Sequence, residues 1–237
     1  MNPRRFATST TILLGALTGL TACSNLSRSS VGLRRVDDLV ERIEAVHVEC
    51  ELSKATMHEA LDALRLIAVP DFQGDIVEAF AMYTSAIDAS EQQAADLRAA
   101  VTPMRRSAEP FFAQWEGNLS NFASPTMRER SRERMLASRA RYDAIVDSLE
   151  PVQTTYDVFN LTLSDIALFL EHDFNASSIL GVTGEVRSLD KMAAELDGRF
   201  NVCLDAARTY VQNNALPTHM PPQVEVTTTQ EQAPESR

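Results

Sequence analysis

The sequence predicts an all-α protein: an elongated antiparallel helical bundle of coiled-coil character. Two long central helices form a projecting hairpin, flanked by two shorter helices. Three observations predict this. Apolar or small residues recur at steps of three and four through four successive stretches between Val36 and Tyr210. No stretch alternates with the period of two that a strand needs. The 237 residues hold only eight glycines, and the abundance of Ala, Leu, Arg and Glu suits helices.

The first seam runs Val36, Leu39, Ile43, Val46, Cys50, Ser53, Met57, Ala60, Leu64, Ile67. This is an a/d pattern held over several heptads, and Pro70-Asp71 closes it, because the residue before a proline is pushed out of the helical region. The second runs Ile76, Phe80, Tyr83, Ile87, Ser90, Ala94, Leu97, Val101, Met104, Ala108, Phe111, Trp115, then Phe122. Pro103 and Pro110 fall inside it, and each removes a hydrogen bond and crowds the preceding turn, so kinks or a local break are expected there. The unbroken phase predicts that the helix resumes on the same face.

Ser124-Pro125 reads as an N-cap followed by proline in the first turn. The third seam is Met135, Ser138, Tyr142, Ile145, Leu149, Val152, Tyr156, Phe159, Leu163, Ile166, Leu170, interrupted once by Pro151. Asn175-Ala176-Ser177-Ser178 makes the next turn. The fourth is Ile179, Val182, Val186, Leu189, Ala193, Leu196, Phe200, Cys203, Ala207, Tyr210, weakened by Gly181, Gly184 and Gly198 by up to about 1 kcal/mol each.

The central helices span about 50 residues each, roughly 75 Å, and the flanking ones about 35, roughly 50 Å. The 2–3 hairpin is therefore expected to project beyond both flanking helices by about 20 Å. Its tip, residues 105–141, carries Arg105, Arg106, Arg128, Arg130, Arg132, Arg134, Arg139 and Arg141 against Glu109, Glu116, Glu129 and Glu133. Phe111, Phe112 and Trp115 lie close by. Such a tip suits contact with an anionic surface, although i,i+3 pairs on a solvated face would account for the charges as well.

Leu20-Thr21-Ala22-Cys23 follows a short apolar run and the basic pair Arg4-Arg5. This has the form of a bacterial lipoprotein signal, in which Cys23 receives lipid and residues 1–22 are removed. The apolar run is too short to span a bilayer as a mature helix. The expected organisation is a signal peptide (1–22), a tether (23–32), the helical bundle (33–212) and a disordered Pro/Thr/Gln-rich tail (213–237). The expected location is the cell envelope, facing the periplasm, with the outer membrane favoured over the inner. Loss of Arg4 and Arg5 takes the net charge from −11 to −13, which disfavours nucleic acid as a partner.

Cys50 and Cys203 both lie on seams and form a candidate disulfide, since an oxidising envelope permits bridging. Counted from flush helix ends, however, they are mismatched by about 15 Å, too far for a bridge. No metal-ligand spacing links His47, His58, His172 or His219, and no phosphate loop or nucleophile motif occurs. A non-enzyme without cofactor or metal is expected. The leading function is a structural or interaction module whose partner is a helical protein or a second copy, and the alternative is a lipid or small-ligand carrier using the bundle interior.

Phe111-Phe112-Ala113-Gln114-Trp115-Glu116-Gly117-Asn118-Leu119, the Arg128–Tyr142 run, Phe169-Leu170-Glu171-His172-Asp173-Phe174-Asn175-Ala176-Ser177-Ser178-Ile179 and Gly184-Glu185 resemble the uncharacterised bacterial family termed domain of unknown function 2959. The resemblance covers about residues 33–211 and implies a helical fold, often behind a lipoprotein signal. It implies no functional residues. The prolines, the two seam cysteines and the tail depart from the family pattern.

Overall fold

The computed structural model describes residues 23–69 and 72–214, with side chains from Arg34 onward. The signal peptide and almost all of the expected tail lie outside the described residues. Five α-helices follow in order: α1 Cys23–Ile67, α2 Ile76–Asn118, α3 Pro125–His172, α4 Ala176–Gly181 and α5 Thr183–Asn214. A 3-10 turn, Leu119–Asn121, follows α2.

The four long helices form a ring. α1 packs against α2 and α5, and α3 packs against the same two from the other side. Every adjacent pair is antiparallel. Ser107 donates to Asp38 at 2.6 Å and Gln93 to Glu49 at 2.6 Å between α2 and α1. Tyr83 donates to the Leu163 carbonyl at 2.7 Å, and Trp115 to Ser131 at 3.0 Å, between α2 and α3. Arg65 meets Asp190, and Lys54 meets Asn201, between α1 and α5. All-α bundle architecture with up-down-up-down topology is what the sequence predicts.

The a/d seams become the core. Every third-seam residue from Met135 to Leu170 is buried, and nine of the ten first-seam residues are too, Val36 alone being only partly covered. Exclusion of these side chains from water is the main drive holding the ring closed, at about 25 cal/mol per Å² of apolar surface. Helix starts are fixed locally. The Asp75 carboxylate accepts from the amides of Val77 and Glu78, Ser124 from Met127, and Asn175 from Ser177 and Ser178, each cap contributing about 1 kcal/mol.

Four expectations need correction. The segment 24–32 is helical and continuous with α1, so it is not an irregular tether. Pro103 and Pro110 lie inside one continuous helix, so no local break occurs there, and the seam keeps its face past both as the unbroken phase predicts; Pro151 is likewise internal to α3. The fourth pattern is two helices, α4 and α5, joined at Val182, where the backbone at φ −90° and ψ 2° leaves the helical basin. The hairpin also does not project past both flanking helices. Arg35 donates to the Pro110 carbonyl at 3.2 Å. Cys23 and Phe122 each lie twelve residues farther along from that contact, so equal helical rise brings the first residue of α1 level with the α2–α3 turn. The projection past α5 is real. Arg141 and Ser138 act on the Tyr210 hydroxyl; from that level α3 continues thirteen residues to Pro125 and α5 four to its last described residue, Asn214, which leaves an overhang of about 14 Å.

Candidate interaction surface at the hairpin tip

Above Asn214, the last described residue of α5, the described bundle consists of α1, the end of α2 and the start of α3. An aromatic cluster holds this part together. Phe111 meets Phe112 and Trp115 edge-on, with ring centroids 4.9 and 5.6 Å away, and Phe112 meets Tyr142 at 5.8 Å. Phe111 and Trp115 also line a groove against Val36 of α1. Met127 and Leu136 remain about half exposed here, at 49% and 55%, as Met82, Leu161 and Val202 are in the body.

The eight arginines divide into two groups of four. Arg128 donates to the Phe122 carbonyl at 2.9 Å and closes the turn. Arg132 pairs with Glu129 at 2.8 Å. The Arg139 guanidinium stands 5.6 Å from the Phe112 ring centroid, a cation–π distance. Arg141 is partly buried beside the Tyr210 hydroxyl. By contrast, Arg105, Arg106, Arg130 and Arg134 are exposed and make no hydrogen bond or ion pair among the described residues. Arg105 lines a shallow groove on the α2–α3 seam with Glu109, Glu116, Asp143 and Arg139. Arg128 to Arg134 lie on the first turns of α3 and Arg105, Arg106 and Arg141 nearer the level of Tyr210, and half of the eight have no polar partner among the described residues.

The sequence reading missed a polar layer inside the body of the bundle. Ser90 of α2 donates to Asn160 of α3 at 2.7 Å, and the Asn160 amide returns a bond to the Ser90 carbonyl at 3.3 Å. The Tyr156 hydroxyl lies 2.8 Å from Ser90 and 2.9 Å from Thr56 of α1. Desolvation pushes the Tyr156 hydroxyl above its usual range, and the same cause acts on Tyr83 and Tyr210, the last pushed up to about 12. The layer joins three helices through satisfied groups, so it pins register and has no free group to offer chemistry.

Cys50 and Cys203 are brought together. Their Sγ atoms are 3.5 Å apart, and both side chains are fully buried. The predicted mismatch fails because the helix ends are not flush: Arg65 opposes Asp190, so residues 176–189 lie beyond that level. Cys23 begins α1, and its side chain is outside the described part. Among the described residues no helix is long and apolar enough to cross a membrane, and no group of His, Cys, Asp or Glu is arranged to hold a metal ion.

A four-helix ring with one end thinned to three helices and edged with arginine defines the class: an elongated helical bundle protein. The chain belongs to the family described as "Protein of unknown function (DUF2959)", whose profile matches residues 26–214. No curated protein and no solved structure matches it.

Proposed function

We propose that the protein is an envelope lipoprotein, anchored through Cys23 and facing the periplasm, that acts as a helical structural or interaction module rather than an enzyme. The observation that carries this reading is one of position. The lipoprotein-type cysteine opens α1 at the same level as the arginine-edged tip, so lipid and tip would meet one surface. Arg130 and Arg134, unpaired, exposed and nearest to that end among the free arginines, supply charge for anionic headgroups, each contributing about 1 kcal/mol near such a surface. The body then stands away from the membrane, available to a helical protein partner or a second copy.

The carrier reading has no observation in its favour. Tyr83, Tyr156, Tyr210, Phe159 and Phe200 are all fully buried and occupy the interior a ligand would need.

The test is intact mass spectrometry of the protein from membranes of its native host, with crosslinking in the cells beforehand. Diacylglycerol on Cys23 and crosslinks from the tip or body to an envelope protein are the expected result. A mature N-terminus beyond Cys23, without lipid, would remove the anchor and with it the argument from position.

A further inference from the structure

Three of the four adjacent pairs in the ring are joined by chain: α1–α2, α2–α3, and α3–α5 through α4. The fourth, α1–α5, is not. This interface is instead drawn together by polar contacts along its outer edge: Arg65 with Asp190 at 2.7 Å, His58 with Asp197 at 3.0 Å, and Lys54 with Asn201 at 3.0 Å. These contacts keep one register, α1 rising as α5 falls, and the same register carried inward puts Cys50 opposite Cys203. The 3.5 Å approach of the sulfurs therefore follows from how the two helices are set and does not depend on a single rotamer. Two thiols at this distance interact only weakly, and any small apolar residue would pack as well. A bond needs the sulfurs at about 2.05 Å, a closure that small side-chain and helix adjustments can supply.

We propose that Cys50 and Cys203 form an intramolecular disulfide that staples α1 to α5, closing the one side of the ring that the chain leaves open. The proposal rests on the envelope reading, because that compartment provides the oxidant. The oxidant is a protein disulfide of an exchange catalyst. One cysteine thiolate attacks it to give a mixed disulfide, releasing one catalyst thiol. The second cysteine thiolate then displaces the other catalyst sulfur. The two protons and two electrons lost by the Cys50 and Cys203 thiols end on the catalyst, which leaves as its dithiol. Both sulfurs are fully buried in the closed ring, out of reach of another protein's disulfide, so exchange takes place before α5 seats on α1. The finished bond spans 153 positions and encloses the whole α2–α3 hairpin, so it restricts the unfolded chain strongly.

The experiment takes the full chain from host membranes, denatures it in N-ethylmaleimide with and without prior reduction, and maps peptides. Without reduction, the expected result is no adduct on either cysteine and a linked peptide pair lighter by two hydrogen atoms than the two thiol peptides. After reduction, an adduct appears on each. Adducts on both cysteines without reduction, in protein whose Cys23 is lipidated, would overturn the staple and leave the envelope reading standing. If Cys23 is unlipidated and the protein cytosolic, the envelope reading fails instead, and full-length chain refolded in an oxidising glutathione buffer decides the staple. There the proposal expects the bond to form and the thermal midpoint to rise by several degrees over the reduced protein, with no such rise in a Cys50→Ala, Cys203→Ala variant. A chain that stays reduced in that buffer would end it.

Discussion

The body and the tip of the bundle are built from the same heptad pattern and end as different materials. In the body, four helices surround the axis, and Ile145, Leu149, Val152, Tyr156 and Phe159 are wholly excluded from water. Toward the tip, past the last described residue of α5, Trp115 and Phe122 are only partly covered. Charge divides the same way. The body's cations are largely spent on its own carboxylates, as in Arg65–Asp190 and Arg98–Asp157, whereas half of the tip's arginines have no partner. A seam residue is thus worth what the number of helices around it makes it worth.

The sharpest way to break this comparison is to cut matching aromatics from the two regions. Phe200→Ala removes a fully buried ring packed against Tyr156 and should cost about 3–5 kcal/mol. Phe112→Ala, which also removes a buried ring but near the end of the bundle, should cost roughly half as much if the tip can relax around the loss. Urea denaturation measures both, and equal costs would mean that the tip is as tightly packed as the body.

Alkaline pH should weaken the body next. A buried tyrosine whose hydroxyl is held above its ordinary value gives stability that is fully present below about pH 10 and is lost as pH rises through the raised value. For Tyr210, pushed up to about 12, the loss falls between pH 10 and 12 and amounts to roughly 2–3 kcal/mol. Tyr83 and Tyr156 shift in the same direction through burial. Tyr142, packed on Phe112 at the foot of the tip, shifts in the same direction through burial. Thermal midpoints followed across this range should fall steeply, and Tyr210→Phe should make the fall shallower.

The polar layer comes third. Asn160→Ala leaves Ser90 without its acceptor in a dry site and should cost about 1–3 kcal/mol, read from chemical denaturation. The smallest effect on stability belongs to the tip charges. Changing Arg105, Arg106, Arg130 and Arg134 together to Gln should leave the unfolding free energy within about 0.5 kcal/mol, while affinity for phosphatidylglycerol vesicles falls at least about tenfold. Unchanged vesicle binding would leave the tip as a solvated surface.

The periodic part of this architecture was open to sequence reading because an a/d seam has one dominant use, and prolines could not break helices held by such long seams. The polar layer was less legible. Asn160 lies one position off the third seam, next to Phe159, and only its neighbour Ser90 gave a signal: a hydroxyl on a core seam needs a partner. The register of α1 against α5 could not be counted from sequence, since the break at Val182 lets α4 and the first turns of α5 overhang. The basic tip was visible as composition, but which arginines are free depends on ring faces and carbonyls that only three-dimensional packing brings near.

The unbroken run of α1 from Cys23 into the core has a mechanical consequence. Forty-five residues of continuous helix extend about 68 Å, with no joint between the proposed lipid site and the body. A protein held by such a shaft cannot sample directions as one on a floppy leash does. Its far end, where Phe80 meets Phe174 edge-on, would be presented at a set height and heading, and any push on the body would act as torque on the lipid.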